Sequence, residues 1–250
     1  MATYNRIGGN YAEFRRPEAR IAARIADALG DSRSVLNIGA GSGSYEPVDR
    51  DVTALEPSDT MIRQRPTNAA PCVQGVAEAL PFADCAFDAA MGVLTLHHWS
   101  DPARGLAEMR RVARRRAVLL TWVPDSPAFW LTRDYFPEIL AQDLAIFPDS
   151  HALEALMERC IGPCRIEPMP IPHDCSDGFL CAYWRRPEAY LDPERRRAIS
   201  SFATFDPAPG LERLRADLDS GAWSKRNAEL LGMDALDVGY RIISCEISQT

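Results

Sequence analysis

The chain has 250 residues, 46% hydrophobic and 25% charged, and its 28 lysines and arginines against 35 aspartates and glutamates give a formal charge of −7. A chain of this length buries roughly 70–75% of its unfolded surface in one core, so one α/β domain with an inserted cap is expected rather than two full domains. The acidic balance argues against a nucleic-acid surface and mildly against anionic membranes, and no apolar run approaches the ~20 residues of a membrane span.

The seven cysteines (72, 85, 160, 164, 175, 181 and 245) are odd in number and never spaced C-x-x-C, so reduced thiols and no metal are expected. Met1–Gly9 has no apolar stretch. No secretory leader is therefore expected, and a cytoplasmic location is.

In chain order, Pro17 to Leu29 reads as an amphipathic helix. Pro17 suits its first turn, Ile21, Ile25 and Leu29 recur at i+4, and Gly30 ends it. Val35–Ile38 is a buried strand running into Gly39-Ala40-Gly41-Ser42-Gly43-Ser44, with a short helix expected between Gly43 and Asp51. Val52–Leu55 is the second strand, closed by Glu56-Pro57, and Ser58 is placed to cap the helix that contains Met61. Cys72–Gln74 is a short third strand. Ala86–Val93, apolar on both faces, is a central fourth. Residues 102–113 form a helix with Leu106, Met109 and Val112 inward, and Ala117–Val123 is the fifth strand. This alternation predicts a parallel, doubly wound sheet.

After Pro124 the rhythm changes. Residues 125–160 read as helical, 165–171 and 240–247 as strands, and 172–238 as a long, mostly helical stretch carrying prolines at 172, 187, 193, 207 and 209. Two late strands separated by helices fit a sheet whose last pair is antiparallel. The expected organisation is a sheet domain from 1–171 and 239–250, with an N-terminal lid over 1–16 and a helical cap over 172–238.

The first strand, its glycine turn and Glu56 carry the chemistry. Gly39 permits the turn, and Gly41 and Gly43 let backbone approach a ligand. Glu56, 17 residues after Gly39 at the end of the next strand, can accept both hydroxyls of a ribose. A dinucleotide fingerprint would need glycine where Ser44 stands, which speaks against a nicotinamide-dependent oxidoreductase. His97-His98 follows the fourth strand at the edge where open α/β sheets bind ligands. His98 can act there as a general base, or the pair can fix the loop by packing. Farther on, His173 beside Asp174 can take a proton from a substrate, or Asp174, Ser176 and Asp177 can cap a helix starting near Gly178. The five arginines of Arg110–Arg116 fit a solvent-facing helix exit.

Segments Val35–Glu46, Leu55–Met61, Gly75–Phe82 and Phe87–Arg116 follow in an order with its own markers. These are Leu80-Pro81-Phe82, Leu96-His97-His98-Trp99 and the run from Glu108 to Arg114. Over residues 1 to about 123 the chain resembles the small-molecule methyltransferases grouped with the ubiquinone/menaquinone C-methyltransferase, of the class I type dependent on S-adenosylmethionine (SAM). The resemblance implies an α/β, Rossmann-like sheet of seven strands, mostly parallel with the last antiparallel, SAM as methyl donor and S-adenosylhomocysteine (SAH) as product. It implies a small-molecule acceptor methylated on O, N or C. It also implies a cofactor site of Tyr11 and Arg15 in the lid, Gly39, Ala40, Gly41, Gly43, Glu56, Pro57 and Met61, with Val76, Ala77, Glu78 and Gly92 completing it and adenine beside Val76-Ala77. Two positions depart from the family. Asn37 stands where an acid is usual, and Val76 where an aspartate often meets adenine, leaving the Ala77 amide and Glu78 to read the base. These departures motivate an alternative, a SAM-binding protein that transfers no methyl. Phe129, Trp130 and Tyr135 are expected to roof a partly apolar acceptor pocket, although their spacing also fits plain core. A homodimer is compatible with the chain; a nucleic-acid partner is not expected.

Overall fold

The computed structural model describes residues 14–124 and 129–248. Helix α1, Ala19–Leu29, is capped by the Glu18 carboxylate on the Arg20 amide, and buries Ile21, Ile25 and Leu29 along one side. Strand β1 (Ser34–Ile38) leads through the glycine turn to β2 (Asp51–Glu56). Helix α2 (Asp59–Arg63) is capped by Ser58, as its sequence predicts, and β3 (Cys72–Gln74) follows. Next come β4 (Phe87–Val93), α3 (Pro102–Val112), β5 (Ala113–Trp122), α4 (Trp130–Asp134), α5 (Pro137–Ile146), α6 (Ser150–Cys160) and β6 (Cys164–Pro168). The chain continues through β7 (Ile171–Pro172), α7 (Pro193–Arg197), α8 (Ala208–Asp219), α9 (Ala222–Arg226) and β8 (Ala235–Leu236) to β9 (Tyr240–Glu246).

Seven strands form the main sheet in the order β3-β2-β1-β4-β5-β9-β6. The first five are mutually parallel, and β9 runs antiparallel to both β5 and β6. Side-chain alternation along β1 serves two faces. Val35 joins a cluster with Ile21, Ile25 and Val118, while Leu36 and Ile38 join one with Leu106, Met109, Leu153 and Met157. Helices therefore cover both faces, and β1 and β4 are mostly apolar because neither face meets water. Among the described residues no helix is long and apolar enough to cross a membrane.

Four sequence expectations are corrected. Residues 41–50 form turns, not a helix, because Gly41, Gly43 and Tyr45 take φ of 54°, 98° and 62°. Strand β5 begins at Ala113, so three of the arginines lie on a strand instead of at a helix exit. Arg114 pairs with Asp88 (2.8 Å), Arg115 with Asp31 (2.7 Å) and Arg116 with Glu246 (3.4 Å). The stretch 172–238 is broken into α7, α8, α9 and 3-10 turns at 180–183, 187–191, 200–203 and 228–232, since its prolines interrupt helical hydrogen bonding. Finally, Cys164 and Cys245 face each other in the β6–β9 register with Cα atoms 4.2 Å apart and form a disulfide, and the other five cysteines are thiols.

Candidate active site

A cavity of about 900 Å³ opens where β1, β2 and β4 end, beneath α5 and segments 179–180 and 199–204. Ligands of open α/β sheets bind at this edge. Its floor is the glycine turn. Gly39 sits at φ +69°, and a Cβ there would lie 2.0 Å from Thr95 Oγ1, so the turn locks against the loop after β4. Gly41, at φ +54°, faces open space, since a Cβ would meet only Met61 Cε at 3.5 Å. Its amide donates to Glu56 Oε2 at 2.8 Å, and the Ser58 amide donates to Oε1 at 2.9 Å. Glu56 is 7% exposed and borders the cavity. Each carboxylate oxygen thus holds one backbone donor and keeps acceptor capacity for a second.

The departure at Asn37 has a local answer. Its side-chain amide donates to Glu46 Oε1 at 3.3 Å, and Arg65 Nη2 donates to both Glu46 oxygens at 2.7 and 3.0 Å. Arg65 also donates to the Gly41 carbonyl at 3.3 Å. A carboxylate is therefore brought beneath the glycine turn from nine residues downstream of Asn37, without touching the cavity. Asn37 Oδ1 is buried with no partner among the described residues, and Asn37 borders the cavity.

Ala40, Pro57, Met61, Val76, Ala77 and Glu78 line the same side. The Glu78 carboxylate is already engaged, accepting from the Ser100 hydroxyl at 2.8 Å and the Asp101 amide at 3.1 Å. Arg15 lines the cavity from above. Its Nε donates to Asp177 Oδ1 at 2.6 Å, and the Tyr45 hydroxyl donates to Oδ2 at 2.9 Å. Asp177 is 1% exposed. Burial, then the charge of Asp177, push the Tyr45 phenol well above its usual range, so it remains a donor.

Several expected site residues lie elsewhere. Asp174 is exposed and pairs with Arg20 at 2.7 Å, and His173 Nδ1 lies 3.2 Å from the Asp234 carbonyl. Neither borders the cavity, because segment 174–178 is drawn onto the N-terminal segment. Ser176 donates to Glu18 through its amide (2.9 Å) and hydroxyl (3.0 Å), and the Gly178 amide donates to the Phe14 carbonyl at 2.8 Å. His98 does border the cavity. Phe129, Trp130 and Tyr135 are core, with the Trp130 ring 5.1 Å from Trp223 and its indole donating to the Trp184 carbonyl at 2.8 Å. Gly43 faces Arg65 and Glu46, and Gly92 packs on Leu119 and Thr95, so both leave the cavity wall. Tyr11 lies outside the described residues.

The far end of the cavity is built by residues that sequence reasoning did not single out: Trp122, Gln142, Asp143, Phe147, Phe179 and Tyr240. Rings line up along it, His97 to Phe147 at 4.6 Å and Phe147 to Trp122 at 5.2 Å. Burial, then the neighbouring His98, lower the His97 pKa to about 3, so this imidazole is neutral. Burial alone raises the Asp143 carboxyl to about 7. The i, i+4 spacing of Asp143 and Phe147, and of Gln142 and Ile146, could have signalled this face of α5.

The seven-stranded, mostly parallel sheet, with a glycine turn after β1 and a buried acid at the end of β2, defines a Rossmann-like protein. The profile of the methyltransferase domain matches residues 36–121. A crystal structure from Anabaena variabilis, described as a methyltransferase from an antibiotic biosynthesis pathway, superposes with a TM-score of 0.87 at 34% identity, over 93% of this chain and 99% of that one. A demethylmenaquinone methyltransferase of Renibacterium salmoninarum is 34% identical over 130 residues, 48% of this chain and 54% of that protein. A chloroplastic 2-methyl-6-phytyl-1,4-hydroquinone methyltransferase of Oryza sativa subsp. japonica is 30% identical over 135 residues, 50% of this chain and 38% of that protein. The chain thus spans about half or less of the curated relatives it matches. It belongs to the methyltransferase-domain family.

Proposed function

We propose that this protein transfers a methyl group from SAM to a small-molecule acceptor. The observation that carries the reading is Glu56, a buried carboxylate bonded to the Gly41 amide with acceptor capacity to spare, at the floor of a cavity large enough for more than one ligand. The residues fit an adenosyl group: Glu56 for the ribose hydroxyls, the backbone from Gly39 to Gly41 for close approach, Met61, Val76 and Ala77 beside the base, and Arg15 facing the carboxylate end. Bound SAM supplies a methyl carbon already activated by the sulfonium.

The chain's own task is alignment and exclusion of water, worth about 7–11 kcal/mol of barrier when reacting groups are well placed. Arg15, held by Asp177, closes one side, and α5 with residues 199–204 closes the other. The aromatic far end suits an apolar, ring-bearing acceptor, in line with the hydroquinone and demethylmenaquinone named for the relatives. Incubation of the full chain with methyl-labelled SAM and a small-molecule cell extract tests the proposal. SAH and a labelled organic product are expected. Bound SAH with no turnover would favour the non-transferring alternative.

A further inference from the structure

Among the described residues Asp143 is the one acid at the cavity's far end, and nothing described above gives it a task. It lies on α5 one turn before Phe147, and both side chains border the cavity. Its carboxyl has no hydrogen-bond or ion-pair partner among the described residues; burial alone acts on it. Two neighbouring polar groups are otherwise occupied, while the buried His97 Nδ1 has no partner among the described residues. Gln142 Oε1 accepts from the Thr204 hydroxyl at 2.9 Å, and the Trp122 indole donates to the Val238 carbonyl at 2.6 Å. A half-buried carboxyl without a partner on a cavity wall keeps its full capacity to accept from a ligand there. The rings of His97, Phe147 and Trp122, which line the same cavity as Asp143, favour a flat apolar molecule.

Resting on the methyltransferase reading, we propose that Asp143 receives the proton of the acceptor, and that the acceptor is an aromatic molecule bearing a hydroxyl. The hydroxyl oxygen donates an electron pair to the sulfonium-bound methyl carbon and forms the new C–O bond. The carbon–sulfur bond breaks with its electrons remaining on sulfur, which becomes a neutral thioether. The hydroxyl proton passes to the Asp143 carboxylate and then to solvent.

The surrounding groups leave this role to Asp143. Burial makes both histidines on the turn after β4 weak bases, His97 at about 3 and His98 at about 4. Tyr240 on β9 and Cys181 on the 180–183 turn, the titratable groups coupled to Asp143, are both held protonated by burial. Asp143, raised to about 7, is matched to proton transfer at neutral pH. A base works only when deprotonated, so turnover falls as pH drops through about 7.

The test uses the full chain, its Asp143→Asn variant and 2-naphthol as probe, with 2-methoxynaphthalene and 2-(1-naphthyl)ethylamine as comparison arms. SAH affinity by calorimetry and 2-naphthol affinity by fluorescence with SAH present are expected to change less than threefold in Asp143→Asn, since the amide oxygen still accepts a hydrogen bond. Methyl-labelled SAM is expected to label 2-naphthol and neither comparison compound. In Asp143→Asn the rate falls by about a hundredfold or more and the acidic limb disappears, while Asp143→Glu recovers part of both. Three results would overturn the inference: an unchanged rate and pH profile in Asp143→Asn, labelling of the amine in preference to the naphthol, or no labelling of the naphthol by a chain that binds SAH. A wild-type chain that binds no SAH would overturn the methyltransferase reading beneath it.

Discussion

Gly39 and Glu18 show how single residues hold the site. A methyl group at Gly39 meets both a left-handed backbone and Thr95 Oγ1 at 2.0 Å. Gly39→Ala is expected to lower unfolding stability by about 2–3 kcal/mol, read by urea denaturation. Glu18 is buried, and hydrogen bonds from Arg20, then from Ser176, outweigh burial and hold its carboxyl at about 2. Its ionisation therefore stabilises the fold above the ordinary value of 4.5, and that stability is lost as pH falls toward 2. Glu18→Gln should flatten this acidic limb of stability against pH; an unchanged limb would show that Glu18 is not its source. Glu56 was legible in the sequence because a strand end followed by proline, 17 residues after Gly39, fixes its place. Glu46 and Asp143 were not. Their roles depend on which distant surfaces meet them, and neither has a local signature.

At the scale of elements, the segment 174–178 is a latch onto residues 14–18 and does not border the cavity. Its anchor is Asp177, bonded to Arg15 and Tyr45 at 1% exposure. Asp177→Ala removes the buried carboxylate that accepts from both Arg15 and Tyr45 and is expected to cost on the order of 3 kcal/mol of stability. It should also loosen SAH binding, because Arg15 borders the cavity. A variant with wild-type melting and affinity would contradict the latch. The strands of the parallel half were readable from apolar runs and glycine punctuation. The aromatic group at Phe129, Trp130 and Tyr135 was not separable into core and cavity wall, since helical spacing reports burial without naming what does the burying. Three of the five arginines misled in the same way: Arg114, Arg115 and Arg116 have their partners Asp88, Asp31 and Glu246 far along the chain.

In the whole molecule, one sheet order places the glycine turn and Glu56 beside β4 and below α5, so the glycine turn and the aromatic far end share one cavity. The β9–β6 edge is fastened by Cys164–Cys245, which closes a sequence separation of 81 residues. Loops of that size correspond to about 4 kcal/mol of denatured-state constraint in the chain-entropy account. Thiol titration of the unreduced, denatured chain should return five thiols, and reduction should lower the melting temperature. Seven thiols would contradict the cross-link. The fold class could be read from strand–helix rhythm, whereas the disulfide could not, because register across β6 and β9 is a tertiary property. The most direct measurement is a calorimetric titration of SAH into the full chain and into Glu56→Ala. One site per chain is expected, weakened at least about tenfold in the variant, as loss of charge-assisted hydrogen bonds to the ribose requires. Equal affinities, or no heat of binding to either protein at millimolar SAH, would contradict it.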